Sequence, residues 1–293
     1  MDYLESAYQP TNLTQLDIQK TINVKGSILD LSSPKIMGIV NVTPDSFYAG
    51  SREVNTSDVL KKVEQMMIEG ATFIDIGGYS SRPGADDLSE DAEWQRLAKP
   101  IEAISREFAD LIISVDTFRS AVARRAIDTG AHVINDISGG DLDEAMFGTV
   151  ADLNVPYIMM HMKGSPQNMV KKTSYNDLLT EVTEYFVSKL NQLNSLGVKD
   201  IIIDPGFGFA KNIEQNFQLL HDLNFLKKLD HPLLVGVSRK SMIYKSLNIQ
   251  PEEALNGTTA LNTVALLKGA SILRVHDVKE AAEAVQLVNL LKI

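Results

Sequence analysis

Residues 201–211 read IIIDPGFGFAK. A short, purely apolar run of this kind is typical of a strand buried on both faces of a parallel sheet. This run ends in an acid, Asp204, and the carboxyl ends of such strands face the ligand in α/β folds. A carboxylate buried there costs free energy unless hydrogen-bond donors surround it. The stretch therefore predicts a strand that presents a ligand-binding acid, although an isolated Asp-Pro-Gly fits a turn or a helix cap equally well.

The same pattern recurs along the chain, and nearly every apolar run ends in residues able to do chemistry. The eight runs occupy residues 35–42, 71–78, 111–117, 132–138, 156–162, 200–206, 232–238 and 271–277. Segments with helical spacing of apolar residues separate them, and several stop at a glycine just before the next run, at Gly70, Gly130, Gly197 and Gly269. Eight alternating units predict an α/β fold, the (β/α)8 TIM barrel. A doubly wound open sheet is the alternative, but no GxGxxG follows the first run.

The first 34 residues lie outside this pattern. Two short apolar segments flank Lys25, Gly26 and Ser27, which predicts a β-hairpin. We expect this hairpin to pack on the amino-terminal face of the barrel in a structural role. The predicted organisation is an extension at residues 1–34 followed by a single barrel domain at residues 35–293.

Charge and composition exclude several classes of protein. The net charge of -10 argues against a nucleic-acid partner, and an anionic substrate must be held by local cations. The start of the chain has no signal-peptide pattern, and no run has the roughly 18 apolar residues of a membrane span. The chain contains no cysteine, which fits a reducing compartment. We therefore predict a cytoplasmic protein without a membrane or nucleic-acid partner.

Three polar residues at different strand ends form a first candidate site. Asp116, Asn135 and Asp204 supply hydrogen-bond acceptors and one amide. Such a set suits a flat heterocycle with adjacent N–H groups, such as the edge of a 2-amino-4-oxo-pyrimidine. Lys240, in the sequence SRKS, could donate to the opposite edge of that ring.

Two cationic residues at the end of the eighth run form a second candidate site. Arg274 and His276 are two residues apart on one strand and therefore lie on the same face. A guanidinium beside an imidazole is a plausible phosphate clamp, although either residue alone would more often belong to the surface. Asn41 could join them through a divalent cation, which prefers oxygen ligands.

Other polar residues have structural interpretations. Asp75, in FIDIGG, is interpreted as organising the barrel mouth through backbone hydrogen bonds. Asp136 should point away from Asn135 by alternation. His161 lies among three methionines, so a buried core histidine and a catalytic one are equally plausible. Zinc hydrolysis and serine acyl transfer have no motif here, since HExxH and GxSxG are both absent.

Eight motifs together resemble one family. MGIVNVTPDSF, DIGGYSSRPG, SVDT, INDISGG, MHMKGSP, IIDPGFGFAK, GVSRKS and RVHDV resemble the motifs of bacterial dihydropteroate synthase, in order and spacing, from about residue 35 to the end of the chain. The resemblance implies a transferase of folate synthesis that joins 6-hydroxymethyl-7,8-dihydropterin diphosphate to p-aminobenzoate. It also implies Mg2+ and a homodimer, whose interface we expect at residues 260–268 and 279–291.

The resemblance also implies roles for single residues. Asp116, Asn135, Asp204 and Lys240 match pterin-binding positions, and Met160, Phe209 and Gly236 match residues that pack around the pterin. Asn41, Arg274 and His276 match the pyrophosphate and metal positions, with Asn41 toward the metal. Phe47, Ser81, Arg82 and Pro83 fall on two loops that shape the p-aminobenzoate pocket, and Ser238 belongs to its inner wall. Lys240, Asp116 and Arg274 are the predicted catalytic residues.

The two loops depart from the family pattern. Ala49 stands where an acid is common in PDSFxDGG, and Tyr79 and Ser81 replace Glu and Thr of GGESTRPG. We therefore assign no catalytic acid to the first loop. Two alternatives remain: a pterin-dependent methyltransferase barrel and a non-catalytic pterin-binding paralogue.

Overall fold

The computed structural model describes residues 20–42, 55–79 and 88–291 of the 293-residue chain. The strands are β1 Thr21–Val24, β2 Ser27–Asp30, β3 Lys35–Asn41, β4 Phe73–Gly77, β5 Ile112–Asp116, β6 Val133–Asp136, β7 Tyr157–Met160, β8 Ile201–Asp204, β9 Leu234–Val235 and β10 Ile272–Val275. The helices are α1 Thr56–Ile68, α2 Glu90–Glu107, α3 Ser120–Thr129, α4 Met146–Leu153, α5 Leu178–Ser195, α6 Ile213–His221, α7 Ser241–Leu247, α8 Leu255–Leu267 and α9 Val278–Leu290.

Strands β3 to β10 form one parallel sheet that closes into a barrel. Their order is β8-β7-β6-β5-β4-β3-β10-β9, and every neighbouring pair is parallel. A parallel bridge between Ile203 and Leu233 joins the two ends, with the Ile203 amide donating to the Pro232 carbonyl at 2.9 Å. An open doubly wound sheet would leave two edges, so the predicted (β/α)8 barrel is confirmed.

The surrounding helices begin and end at the residue types that the sequence supplies. Asp177 caps α5 by accepting from the Thr180 amide at 2.7 Å, and Asn212 and Gln215 form a capping box at the start of α6. The four predicted glycine stops all follow helices and all have positive φ. At Gly130 a side chain is also excluded by space, since a Cβ would lie 2.3 Å from the Ser105 Oγ.

The hairpin of β1 and β2 closes the amino-terminal end of the barrel. Ile22, Val24 and Leu31 are buried against Met37, Phe73 and the corresponding residues of the other strands, which form the lowest layer of the interior. The Asn23 amide donates to Asp200 at 2.9 Å, and Lys25 donates to the Ala109 carbonyl at 3.0 Å. The predicted hairpin and its packing are confirmed, and hairpin and barrel share one apolar cluster.

Above this apolar layer the barrel interior becomes polar. Alternation along each strand places the residue two positions after the lowest layer on the same inward face. On five strands that residue is polar: Asp75 after Phe73, Ser114 after Ile112, Asn135 after Val133, Asp204 after Ile202, and Arg274 after Ile272. The carboxyl end of the barrel is therefore the end that can bind a polar ligand. No helix in the described ranges is long and apolar enough to cross a membrane.

Candidate active site

An arginine held by two carboxylates lies at the centre of the barrel mouth. Arg274 on β10 donates from Nε to the Asp75 Oδ2 at 2.6 Å and from Nη2 to the Asp116 Oδ2 at 2.8 Å. Burial opposes the charge of this guanidinium, but Asp75 and Asp116 raise the pKa of Arg274 above its ordinary value. The group is therefore a permanent cation with a fixed orientation.

Asp75 organises the site through side chains, and its interpretation as a backbone ligand is wrong. It is buried, and its Oδ1 accepts from the Ser114 Oγ at 2.6 Å. Its Oδ2 accepts from Arg274 and also from the Asn135 Nδ2 at 2.9 Å. One carboxylate thus orients a hydroxyl, an amide and a guanidinium. The alternation of FIDIGG carries the missing signal, since it places Asp75 on the inward face with Phe73.

The three predicted pterin acceptors occupy the same end of the barrel. Asn135 uses its amide nitrogen on Asp75, which leaves its oxygen to accept from a ligand. Asp204 is buried at the end of β8, and its Oδ1 accepts from the Gly206 amide at 2.8 Å, which leaves Oδ2 for a ligand. Asp116 neighbours Asn135 in the strand register. The result is a wall of oxygens matched to several N–H groups.

Burial makes two of these carboxylates weaker acids than usual. It raises the pKa of Asp116 to about 7, against the opposing effect of Arg274. It also raises the pKa of Asp204, with Lys240 opposing the shift. Both groups are therefore placed where a ligand that donates hydrogen bonds, or carries positive charge, would stabilise the ionised form.

Lys240 faces these acids from the other side of the mouth. Its ammonium hydrogen bonds to the Phe207 carbonyl and lies 4.9 Å from the centre of the Phe209 ring. Burial, which Asp204 and Asp116 oppose, lowers the pKa of Lys240 to about 8. A Cβ built on Gly236 would lie 3.8 Å from the Lys240 Nζ, so this glycine borders the same space. Met160 is buried beneath it in a small apolar cluster that includes Phe209.

The two residues of the proposed phosphate clamp lie on β10 and just beyond it. His276 is exposed at the rim, and its Nδ1 is 3.0 Å from the Oγ of the buried Ser238. The same Oγ accepts from the His276 backbone amide at 3.2 Å, so one hydroxyl contacts both the ring and the backbone of His276. Partial desolvation of the ring and then the charge of Arg274 lower the pKa of His276, so the imidazole is neutral at pH 7.

Other predicted residues are placed as follows. Asn41 is half-buried at the carboxyl end of β3 and pairs in register with Gly77. Ser238 lies under His276, a contact that the resemblance did not indicate. Phe47, Ser81, Arg82 and Pro83 lie outside the described residues. Arg239, beside Lys240 in the sequence, binds Asp277 through two nitrogens and has a structural role.

Asp136 and His161 both have structural roles outside the ligand-binding space. Asp136 points outward, where it accepts from Tyr157 and from the amides of Ser138 and Gly140. His161 is buried behind the barrel wall, with its Nδ1 2.9 Å from the Nζ of Lys211 and its ring 4.9 Å from that of Tyr185. Burial lowers the pKa of His161 to about 2. His161 is therefore a neutral core histidine, as the structural interpretation held.

Tyr79, one of the two departures in the second loop, borders the mouth. Its ring meets Phe118 edge to face at 5.1 Å, and the guanidinium of Arg119 lies 5.4 Å from its centre. Its hydroxyl accepts from Gln167 at 2.6 Å. The residue that replaces a common acid thus packs with β5 and β7 loop residues, and does not present a charge.

Known proteins match this architecture closely. Residues 37–276 match the model of a family described as pterin binding enzyme. The chain is 43% identical over 271 residues to the dihydropteroate synthase of Escherichia coli K12, covering 90% of this chain and 94% of that protein. Two similar crystal structures are the Yersinia pestis dihydropteroate synthase with a sulfonamide drug complex and the Xanthomonas albilineans dihydropteroate synthase with 4-aminobenzoic acid. The Yersinia pestis structure has a TM-score of 0.87 and 41% sequence identity, and the match covers 93% of this chain and 99% of that one. The Xanthomonas albilineans structure has a TM-score of 0.87 and 36% sequence identity, and the match covers 93% of this chain and 98% of that one.

Proposed function

Because the chain belongs to the pterin binding enzyme family, among its dihydropteroate synthases, we propose that the residues at the barrel mouth carry that activity in named roles. The enzyme is a transferase of folate synthesis. It condenses 6-hydroxymethyl-7,8-dihydropterin diphosphate with p-aminobenzoate to give 7,8-dihydropteroate and pyrophosphate. One observation carries the proposal. The acceptor oxygens of Asp116, Asn135 and Asp204, which we call the oxygen wall, lie at the same end of the barrel as Arg274, which two carboxylates hold in place.

The oxygen wall would bind the pterin ring. The ring presents adjacent N–H groups along its pyrimidine edge, and these would donate to Asp204, Asn135 and Asp116. Lys240 would donate to the opposite side of the ring, while Met160, Phe209 and Gly236 would enclose its faces. The buried acids favour a ligand that gains positive charge, because such a ligand restores their ionised form.

Arg274 and His276 would hold the diphosphate. Arg274 keeps part of its guanidinium fork for a ligand while Asp75 and Asp116 fix the rest, so it is preorganised for the charge that develops on the leaving group. His276 would add one ring N–H as a neutral donor. Lys240, Asp116 and Arg274 are therefore the proposed catalytic residues.

The reaction needs no general base. An aromatic amine is neutral at pH 7 and already carries the lone pair that attacks. The difficult event is departure of pyrophosphate, which the electron-rich dihydropterin assists by stabilising positive charge at its exocyclic methylene. We therefore propose a dissociative, SN1-like displacement in which Asp116 and Asp204 favour the cationic ring electrostatically.

The residues present fit a magnesium ion that arrives with the substrate. Among the described residues, no group of three or more acids or histidines could hold a metal by protein ligands alone. Asn41 offers one amide oxygen at the mouth, and Mg2+ commonly uses one or two protein oxygens together with waters and phosphate. When bound, the ion would neutralise charge on the departing pyrophosphate.

The second substrate would bind beside Lys240. A similar structure, from Xanthomonas albilineans, was determined with 4-aminobenzoic acid. In this chain we propose that Phe47, Ser81, Arg82 and Pro83 shape the corresponding pocket, with Ser238 at its inner wall. Ser238 would act there partly through His276, which it contacts.

The proposed assembly is a homodimer formed by α8 and α9. Apolar residues stay exposed on these helices and at the residue that follows α9: Val264, Leu267, Leu287, Leu290 and Leu291. Exposed apolar side chains on two helices that pack together favour association. Sedimentation velocity should show a particle of twice the chain mass, and a monomer at all concentrations would contradict the proposal. The absence of cysteine supports the cytoplasm as the proposed location.

One assay tests the function and its alternatives. Pyrophosphate release from the pterin diphosphate should depend on p-aminobenzoate and yield 7,8-dihydropteroate. A methyltransferase would release none and would require a methylated pterin. A non-catalytic paralogue would bind the pterin diphosphate without turnover.

A further inference from the structure

A buried lysine behind the pterin wall has no part in the chemistry described so far. Lys211 follows the 205–210 segment and precedes α6, and only 7% of its surface is exposed. Its ammonium donates to the Gly206 carbonyl at 3.1 Å, to the Phe209 carbonyl at 3.1 Å and to the His161 Nδ1 at 2.9 Å. Burial, which Asp204 opposes, lowers the pKa of Lys211 to about 7. The three acceptors match the three hydrogens of the protonated form, which they stabilise.

The segment that Lys211 binds needs such support. Gly206, Gly208 and Ala210 all have positive φ, of 73°, 79° and 50°. The alternation of left-handed residues turns successive carbonyls in different directions, and each needs a donor. Lys240 binds the carbonyl of Phe207, and the Tyr175 hydroxyl donates to that of Ala210 at 3.0 Å. Lys211 donates to the carbonyl of Gly206, which also accepts from the Phe209 amide at 3.1 Å, and to the carbonyl of Phe209.

The same ammonium also joins this segment to the neighbouring strand end. His161 follows Met160 directly, and its neutral ring accepts from Lys211 on the outer side of the wall. The backbones approach so closely that a Cβ on Gly206 would lie 2.1 Å from the His161 carbonyl oxygen. Lys211 therefore links the Phe209 backbone to His161, the residue after Met160. Phe209 and Met160 form two walls of the same pocket.

We propose that Lys211 is a positioning residue, which acts through the Phe209 backbone to hold the aromatic wall against the pterin. The inference rests on the proposed pterin site. It distinguishes Lys211 from Lys240: the two lysines bind carbonyls of the same segment, but Lys240 faces the ligand and Lys211 lies behind the ring. Loss of Lys211 should let the ring move and should leave the Arg274 cluster unchanged.

The first test separates positioning from a loss of folded protein. Lys211→Met should raise the KM for the pterin diphosphate by roughly 10- to 100-fold, because the Phe209 ring would no longer be held in place. It should change kcat by less than about threefold. Lys199 is an exposed lysine just before β8, the strand that precedes Lys211. Lys199→Met is therefore the matched control, and its KM and kcat should equal those of the wild type. A lower kcat with an unchanged KM would mean fewer folded molecules and would overturn the proposal.

A double-mutant cycle tests the route of action. If Lys211 acts through the Phe209 ring, Lys211→Met should weaken pterin binding by less than about threefold when Phe209→Ala is already present. An equal penalty in both backgrounds would contradict the proposal. The same titrations measure binding of the pterin diphosphate to the wild-type protein, which tests the proposed pterin site itself. If the wild type binds the pterin diphosphate and Lys211→Met binds it equally well, the role of Lys211 is rejected and the pterin site is not.

Chemical rescue covers a Met variant that fails to fold. The chain has no cysteine, so Lys211→Cys can be alkylated at that residue alone. Aminoethylation with 2-bromoethylamine restores an ammonium at nearly the length of lysine, and alkylation with 1-iodopropane gives an uncharged side chain of the same length. The aminoethyl protein should bind the pterin diphosphate within about threefold of wild type, and the propyl protein roughly tenfold more weakly. Equal affinity of the two would overturn the proposal.

Discussion

At the scale of single residues, the site depends on which atoms of each carboxylate are already occupied. Asp204 uses one oxygen on the Gly206 amide and Asp116 uses one on Arg274, so each keeps one for the ligand. Asn135 is fixed in a single orientation by Asp75. The sequence predicts the identity of these acceptors from the strand ends. It does not show their orientation, since the deciding partners, Asp75 and Arg274, lie 199 residues apart in the chain.

Asp204→Asn should weaken binding of the pterin diphosphate without loss of the fold. The amide can still accept from Gly206 but directs a donor at the ring N–H groups, at a cost of about 2–4 kcal/mol. That cost corresponds to roughly 30- to 1000-fold in affinity. Calorimetric titration measures it, with Asp200→Asn at the other end of the strand as control. Binding within a few-fold of wild type would show that Asp204 is not a pterin ligand.

The pH profile should reflect Lys240 and Asp116. The pKa of Lys240, lowered to about 8, predicts loss of its charge as the pH rises through that value. The pKa of Asp116, raised to about 7, predicts loss of the carboxylate as the pH falls through that value. kcat/KM for the pterin diphosphate should therefore be bell-shaped with its maximum between them. Lys240→Arg should move the alkaline limb beyond the measurable range, because a guanidinium stays charged. A wild-type profile that is flat across both values would contradict these assignments.

At the scale of elements, the strands could be predicted better than their ends. All eight apolar runs contain a strand, but each strand is shorter than its run; the run at 232–238 contains only the two residues of β9. The pairing of a strand stops where its neighbour turns away, and local sequence does not show where that happens. The segment after β8 shows the same limit, because the role of Lys211 there depends on carbonyl directions set by three left-handed residues.

The hairpin should contribute stability and not catalysis. Ile22 is 1% exposed and packs against the lowest layer of the barrel interior, at the end opposite the site. Ile22→Ala should reduce the free energy of unfolding by about 2–4 kcal/mol, the usual range for a buried cavity. Urea denaturation measures that loss, and both KM values should stay at their wild-type levels. The exposed Ile28→Ala, in β2, is the control. A large change in either KM would show that the two ends are coupled.

At the scale of the whole molecule, fold and ligand chemistry are separable. The apolar end of the barrel stabilises the fold, and the polar end binds the ligands. Because the proposed Mg2+ site lies at the polar end, the metal should affect turnover and not the stability of the ligand-free protein. Chelation with EDTA should abolish pyrophosphate release but leave the thermal melt of the ligand-free protein within about 1 °C. Adding Mg2+ should restore turnover fully. A large loss of Tm on chelation without ligand would indicate a structural metal and contradict the proposed role of Asn41.

The arginine that joins Asp75 to Asp116 also bears on how the chain assembles during synthesis. The two acids leave the ribosome early, on the second and third barrel strands, whereas Arg274 comes on the last, 199 and 158 residues later. Until then a nascent chain carries two carboxylates that cannot be buried without a counter-charge. The closing strand thus brings the final hydrogen-bonded edge and the only cation that these acids contact among the described ion pairs. Closure of the ring and neutralisation of the future pocket therefore both require β10, the last strand to be synthesised.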